Sequence, residues 1–265
     1  ADNNTAVGRF SMFCNTTGAN NAAFGGEALY ANTTANHNIA IGKKAMFDNT
    51  TGANNVSIGS SSLENNTTAA SNTAVGFCSM KFNTTGASNT AIGTSALAAN
   101  TTGTCNIAMG VNSLLANTTG NNNVAIGFCA NATSTDRNDN TAIGYEALKV
   151  NTGIGNTAVG ARAADSNTSA EGITAVGNRA LCSNTTGANN TAVGMCSLLA
   201  NTTGTLNSAF GEGTLKCNTT GGNNTAIGRQ ALFNNTTGLC NTAIGRAALV
   251  DNTTGAGNVA VGVVA

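Results

Sequence analysis

A repeat of seventeen residues runs through almost the whole chain and limits what it can fold into. A glycine recurs sixteen times between Gly8 and Gly262, and every step is seventeen residues except one of sixteen, from Gly144 to Gly160. The consensus reads N-T-A-(I/V)-G-x-x-A-L-x-x-N-T-T-G-x-N, and positions 1 to 17 are counted from its first asparagine. Self-similarity at a fixed short period is typical of repeat architectures, in which each repeat forms one structural unit.

Seventeen residues are too few for a helix–turn–helix unit, and the density of Gly and Asn disfavours long helices. The period predicts an all-β fold, a parallel β-solenoid (β-roll) of sixteen 17-residue coils stacked about 4.8 Å apart, roughly 75 Å in total. Coil 1 starts at Asn4 and coil 16 at Asn258. We expect a single repeat domain over residues 1–265, with irregular coils at about 127–173 and no capping segment at either end.

The apolar positions suggest how one coil is built. Position 4 is always apolar, and position 9 is Leu or Met in thirteen of fifteen complete coils. Positions 3 and 8 carry Ala, Ser or Thr. We therefore expect two short strands, at positions 2–4 and 7–9, whose large residues at positions 4 and 9 fill a narrow core. Glycines at positions 5 and 15 predict corners with positive φ.

Asparagines at position 1 in fifteen of sixteen coils and at position 12 in fourteen of fifteen complete coils predict stacked amide ladders, in which each amide bonds the equivalent turn above and below. The best-defined ladder comprises Asn15, Asn32, Asn49, Asn66, Asn83, Asn100 and Asn117. Thirteen position-12 asparagines also match N-x-(S/T), and their glycosylation and an internal ladder exclude each other.

A threonine row follows at position 13, and we regard it as a candidate contact face. It comprises Thr16, Thr33, Thr50, Thr67, Thr84, Thr101, Thr118, Thr185, Thr202, Thr219, Thr236 and Thr253.

Charge is scarce and unevenly placed. Charged residues make up 8% of the chain, with eleven basic and eleven acidic side chains. This balance disfavours nucleic acid and anionic membranes as partners, and no apolar run is long enough to span a membrane. Seventeen of the twenty-two charged residues fall at positions 6, 7, 10 or 11. The segment from position 12 round to position 3 is nearly free of charge, which favours packing against copies of the chain or against a regular external surface.

No catalytic, metal or cofactor site is predicted. The only histidine, His37, lies in a turn without a nucleophile pattern, and the glycines follow the coil rather than a phosphate loop. The eight cysteines form no C-x-x-C motif, and we expect them to be free or bonded between chains. At Asp136, Arg137 and Asp139 an irregular turn is a better interpretation than a calcium-binding one. The sequence therefore predicts that the protein is not an enzyme.

The segments NTAIGYEAL (140–148), NTAIGRQAL (224–232) and NTAIGRAAL (241–249) resemble the repeat of trimeric autotransporter adhesin heads and related bacterial and viral fibre proteins. The resemblance covers all sixteen coils, although the unit is longer than that of the adhesins. It implies a left-handed parallel β-roll in an intertwined trimer, with adhesive or structural work outside the cell.

Together these features predict a structural, fibre-forming protein at the cell surface, in the extracellular space or on a virion surface. Its partners are copies of itself, with a trimer as one form, and not nucleic acid or a membrane interior. The alternatives are an ice-binding solenoid that uses the Thr and Asn rows, and an adhesin head that binds a host or matrix surface, including glycans.

Overall fold

The computed structural model describes residues 2–265, and each coil contains one short strand. By their contacts the residues form two compact units, Ala1–Asn138 and Asp139–Ala265, called the first and the second unit below. The strands of the first unit are β1 Thr5–Val7, β2 Ala22–Phe24, β3 Ile39–Ile41, β4 Val56–Ile58, β5 Thr73–Val75, β6 Thr90–Ile92, β7 Ile107–Met109 and β8 Val124–Ile126. Those of the second are β9 Thr141–Ile143, β10 Thr157–Val159, β11 Thr174–Val176, β12 Thr191–Val193, β13 Ser208–Phe210, β14 Thr225–Ile227, β15 Thr242–Ile244 and β16 Val259–Val261.

Within each unit, consecutive strands pair in parallel with the same repeat position opposite itself. Thr73 lies opposite Thr90 and Val75 opposite Ile92 in the first unit, and Thr174 lies opposite Thr191 in the second. Residues 2–265 contain no helix. The predicted fold class, an all-β parallel solenoid built from coils of about seventeen residues, is confirmed.

The core of a coil is formed by positions 3, 8 and 9, together with the asparagines at positions 1 and 12. In coil 5 the side chains of Ala74, Ser79 and Met80 are fully buried, whereas Val75 at position 4 is only half-buried. The prediction that position 4 fills the core is wrong. Neighbouring residues of a strand point to opposite faces, so once Ala74 points inward its neighbours point outward. The core admits alanine there because the coil is narrow.

The predicted second strand at positions 7–9 is absent from every described coil, where these residues form turns. Positions 7 and 9 have left-handed backbone, for example Cys78 with φ of 54° and Met80 with φ of 48°. The Cys78 N–H donates to the preceding coil at Ser60 O (3.1 Å), and the Met80 N–H donates to the following coil at Ala96 O (3.0 Å). Alternating left-handed residues thus satisfy the backbone toward both neighbouring coils without a strand.

The asparagine ladder at position 12 is present in the core. Asn83 Nδ2 donates to Asn66 Oδ1 of the preceding coil (2.9 Å) and to Gly86 O of its own coil (3.0 Å). Its Oδ1 accepts from Asn100 Nδ2 of the following coil at 2.7 Å. The bonds repeat from Asn15 to Asn117 in the first unit and from Asn151 to Asn252 in the second. Complete burial of Asn83 means that a glycosylated side chain cannot occupy this place in the folded coil.

A second ladder runs along position 1. The Asn89 backbone N–H donates to Asn72 Oδ1 of the preceding coil at 2.9 Å, and Asn72 Nδ2 donates to Gly86 O at 2.9 Å. Because Asn83 donates to the same carbonyl, amides from both ladders meet at position 15 of each coil. A coil of a few small apolar side chains is thereby closed by hydrogen bonds between buried amides.

The one step of sixteen residues, from Gly144 to Gly160, shortens a turn and no strand. Coil 9 lacks one residue between Thr152 and Gly153, where other coils read T-T-G. Strand β10 still pairs in register with β9, with Thr157 opposite Thr141. Asn140 and Asn151 both donate from Nδ2 to Gly153 O at 3.2 Å, so the amides of this coil keep their usual target. The irregular turn is accommodated without loss of strand pairing.

The expectation of positive φ at position 5 is confirmed, since these glycines have φ between 127° and 139°. At position 15 the expectation is wrong, because Gly86 does not have positive φ. Glycine is favoured there by close approach instead, since a Cβ on Gly86 would collide with Gly103 O and lie 2.7 Å from the amide atoms of Asn83 and Asn100.

Alanine substitutions at the neighbouring residues Gly25 and Gly26 test whether position 5 requires glycine. Gly25 has φ of +136°, and a Cβ there would lie 2.6 Å from Gly42 O, whereas a Cβ on Gly26 would meet nothing closer than 4.0 Å. We expect Gly25→Ala to lower the free energy of unfolding by about 2–4 kcal/mol and Gly26→Ala to change it by less than about 1 kcal/mol. Equilibrium urea unfolding measures both, and equal losses would contradict this account of position 5.

Truncating one rung of the ladder tests its contribution to stability. In Asn83→Ala the buried groups Asn66 Oδ1 and Asn100 Nδ2 lose a partner. We expect the free energy of unfolding to fall by about 2–4 kcal/mol, because unpaired buried polar groups keep their full desolvation penalty. The control Thr85→Ala removes an exposed side chain two residues away and is expected to stay within about 0.5 kcal/mol. A loss below about 1 kcal/mol for Asn83→Ala would show that the ladder contributes little.

Candidate interaction surface

The outward side chains of the strands form the most regular surface of each unit. This surface, called the strand face, consists of positions 2 and 4 of every coil. Position 4 carries only Val, Ile, Phe or Met, namely Val7, Phe24, Ile41, Ile58, Val75, Ile92, Met109 and Ile126 in the first unit and Ile143, Val159, Val176, Val193, Phe210, Ile227, Ile244 and Val261 in the second. In-register pairing aligns these side chains in one row within each unit.

The position-4 row is open to solvent in both units. Phe24 is 41% exposed, Ile58 37% and Ile227 42%, and Val7 in the first coil reaches 55%. No charged residue occurs at positions 1 to 4 of any coil. This surface was not predicted from the sequence, because large apolar residues at position 4 were expected in the core. Strict alternation around the invariantly small position 3 was the signal that could have revealed it.

Position 2 distinguishes the two units. In the first unit it includes Ala22, Ile39, Val56, Ile107 and Val124, so that both rows of the strand face are apolar in these coils. In the second unit it is hydroxylic in seven consecutive coils, Thr141, Thr157, Thr174, Thr191, Ser208, Thr225 and Thr242. Within residues 139–265, none of these seven hydroxyls hydrogen-bonds to a protein group. The second unit therefore presents a row of unpaired hydroxyls beside a row of apolar side chains.

The threonine row at position 13 has a different geometry. Thr16 Oγ1 donates to Thr33 O at 2.8 Å, and Thr33 Oγ1 donates to Thr50 O at 3.1 Å. The same bond continues from Thr50 to Thr118 in the first unit and from Thr168 to Thr236 in the second. These hydroxyls thus donate their hydrogens to carbonyl oxygens of the next coil, and most of the side chains are half-buried. The role of this row as a contact face stays a prediction.

Positions 6, 7, 10 and 11, called the turn side below, lie in the turns and carry most of the aromatic and charged side chains. Phe13, Tyr30 and Phe47 occupy position 10 of the first three coils and stack with ring centroids 5.5 and 4.9 Å apart. Glu64 lies between Lys44 (3.8 Å) and Lys81 (3.5 Å). These contacts run along neighbouring coils, so aromatic stacking and ion pairs stabilise the stack on the side where the backbone forms turns.

Three ionisable groups on this side have altered affinities for protons. Hydrogen bonding from Lys149 at 2.8 Å, aided by Arg162 at 3.2 Å, lowers the pKa of Glu146. Burial, followed by the charge of Glu64, raises the pKa of Asp48. Burial also raises the pKa of Cys182, as does its hydrogen bond to Asp165 Oδ1 at 3.2 Å. A thiol with a raised pKa is a poor nucleophile, and Cys182 accordingly has the environment of a structural residue.

The remaining sequence candidates are dispersed. All eight cysteines are free within the chain. Among residues 2–265 no three His, Cys, Asp or Glu side chains are grouped so that they could hold a metal ion. Arg137 Nε pairs with the adjacent Asp136 at 3.3 Å. In the same part of the chain no helix has the length and apolarity needed to cross a membrane.

No protein-family model matches the chain, and no curated protein matches it in sequence. The class defined by the fold is that of parallel β-solenoid repeat proteins with asparagine ladders. The strand face is the surface of this structure whose chemistry bears on function.

Proposed function

We propose that this chain is a structural repeat protein that assembles with copies of itself into fibres through the strand face. The observation that carries the proposal is a row of eight outward apolar side chains at position 4 in each unit, without a charge beside it. Large exposed apolar patches on soluble proteins mark interaction sites. The sequence suggested contact through the whole uncharged segment from position 12 to position 3. We propose the strand face, with its apolar row at position 4, as the contact surface.

The area of the strand face suits a stable interface. With coils about 4.8 Å apart and strands about 10 Å long, sixteen strands present about 770 Å² of face in total. A standard interface buries about 800 Å² on each partner. Burial of the strand faces of both units against other copies would therefore cover the area of an ordinary interface, with no buried charge to desolvate.

The repetition of the strand face favours open-ended assembly over a closed pair. Within one unit, a partner displaced by one coil meets nearly the same side chains, because position 4 changes only among Val, Ile, Phe and Met. Partners that overlap partially leave part of each row free for a further copy, and contacts that do not close generate filaments. A fibre is the expected product of such an interface.

The resemblance of the repeat to adhesin heads and viral fibres supports work outside the cell, at a cell surface or on a virion. It also makes an intertwined trimer one form of the assembly. We propose no catalytic role and no cofactor. The carboxylate of Glu146, for example, is engaged with Lys149 and Arg162.

Charge placed on the strand face tests the proposal. We expect the double variant Ile41→Lys with Ile92→Lys to remain folded, since both side chains point to solvent, and to need at least a tenfold higher concentration to assemble. The control Phe77→Lys adds charge at an exposed residue of the turn side and should assemble as the wild type does. Sedimentation velocity and negative-stain electron microscopy measure the assembly. A wild-type chain that stays monomeric at high concentration would contradict the proposal.

The hydroxyl row of the second unit favours one second candidate, binding to ice. Hydroxyls held at the coil spacing, free of protein partners and next to methyl-bearing side chains, offer an ordered set of sites to a water lattice. Thr174 and Thr191 belong to this row, whereas Thr185 at position 13 donates its hydroxyl to Thr202 O at 3.0 Å. Ice would therefore bind position 2 of the second unit, and not the position-13 row that the sequence suggested.

Ice binding predicts thermal hysteresis and faceted ice crystals in the presence of the wild-type chain. We expect Thr174→Lys with Thr191→Lys to abolish both, because long charged side chains interrupt the hydroxyl row. Thr186→Lys, at an exposed position 14, is the matched control and should leave both unchanged. Nanolitre osmometry measures the effect, and disc-shaped ice growth with the wild-type chain would remove this candidate.

A further inference from the structure

Coil 8 departs from the repeat at two inward positions. Asn131 stands at position 9, where thirteen coils have Leu or Met, and Ser134 stands at position 12 in place of the ladder asparagine. Both side chains are fully buried. The side-chain nitrogen and oxygen of Asn131, the hydroxyl of Ser134 and Oδ1 of Asn117 in coil 7 all lack a hydrogen-bond partner. These unpaired atoms lie within the first unit, in a stretch of core where other coils have none.

The ladder explains why Asn117 Oδ1 lacks a hydrogen-bond partner. In each earlier coil the ladder oxygen accepts from the amide of the following coil, as Asn100 Oδ1 accepts from Asn117 Nδ2 at 3.0 Å. Serine at position 12 has no amide group to donate in this way. Its side chain also has two heavy atoms fewer than asparagine, and the space this frees is of the order of the roughly 30 Å³ that one water molecule occupies in the liquid.

We propose that Asn117, Ser134 and Asn131 form an internal binding site for water. Buried polar atoms are almost always paired with protein or with ordered water, and an internal water typically makes about three hydrogen bonds. The three side chains provide a suitable set of donors and acceptors. Asn117 Oδ1 accepts, the Ser134 hydroxyl donates or accepts, and the Asn131 amide does both. Bound water replaces the missing rung of the ladder and hydrates the amide that stands in the core where a leucine would pack.

Asn131 and Ser134, the two departures from the consensus, support this assignment because they occur in the same coil. An amide at position 9 alone would be an unpaired polar group among apolar side chains such as Leu114 of the preceding coil. A serine at position 12 alone would leave one ladder oxygen without a donor. With both changes three residues apart on one turn, a single hydrated site serves both, and the coil remains closed.

Magnetic relaxation dispersion of water ¹⁷O and ²H, which counts long-lived internal waters, tests the site. We expect the variant Asn131→Leu with Ser134→Asn, which restores the consensus, to hold at least one long-lived water fewer than the wild type. Asn65→Leu, at a half-buried residue of position 11, is the matched control and should keep the wild-type number. An equal number in the wild type and the double variant would overturn the proposal, as would an equal loss in the control.

A high-resolution crystal structure of the wild-type chain provides a reading that does not depend on folding of the variants. A density peak within hydrogen-bond distance of Asn117 Oδ1 and Ser134 Oγ is expected. A dry site at that resolution, or direct hydrogen bonds among the three side chains, would overturn the inference.

Discussion

Hydrogen bonds between side-chain amides at equivalent positions of neighbouring coils are the interaction on which the fold depends. One coil has too little apolar volume to hold a core of its own, because its inward side chains are one leucine or methionine, two small residues and two asparagines. An asparagine buried without partners would destabilise the coil. In a stack, each amide hydrogen-bonds with an amide of the next coil. The asparagines that would destabilise an isolated coil therefore stabilise the association of coils.

The thin core also determines which side chains reach the surface. A strand of three residues, such as Thr73–Val75, can turn only its middle residue inward if the amides and the leucine of position 9 are to share the remaining space. The larger β-branched residues are then left outside, in a row repeated at the strand spacing. An ordinary globular domain buries such residues. Their exposure here follows directly from a core that is closed by polar contacts.

The sequence predicted the coils, their register and the ladders, because a period of seventeen residues in every step but one can be satisfied only by stacking each repeat position on the same position of the next coil. It did not predict which side of the strand faces inward. An alternation of Ala74 and Val75 has two solutions, and the larger residue was placed in the core by analogy with ordinary sheets. The left-handed backbone at Leu97 and its equivalents could not be predicted either, since leucine disfavours that conformation. There the hydrogen bonds to neighbouring coils outweigh a local preference.

The ladder at position 12 has a direction. From Asn32 to Asn15 and onward through Asn100 to Asn83, one Nδ2–H of each amide donates to Oδ1 of the preceding coil, so the amide dipoles add along the stack and reinforce one another. The threonine hydroxyls at position 13 point the opposite way, toward the following coil. A stack of this kind is chemically polar, with amide donors at one end and amide acceptors at the other. An interruption therefore leaves a particular kind of group unpaired on its N-terminal side, a carbonyl oxygen, and this is the atom that Asn117 presents to coil 8.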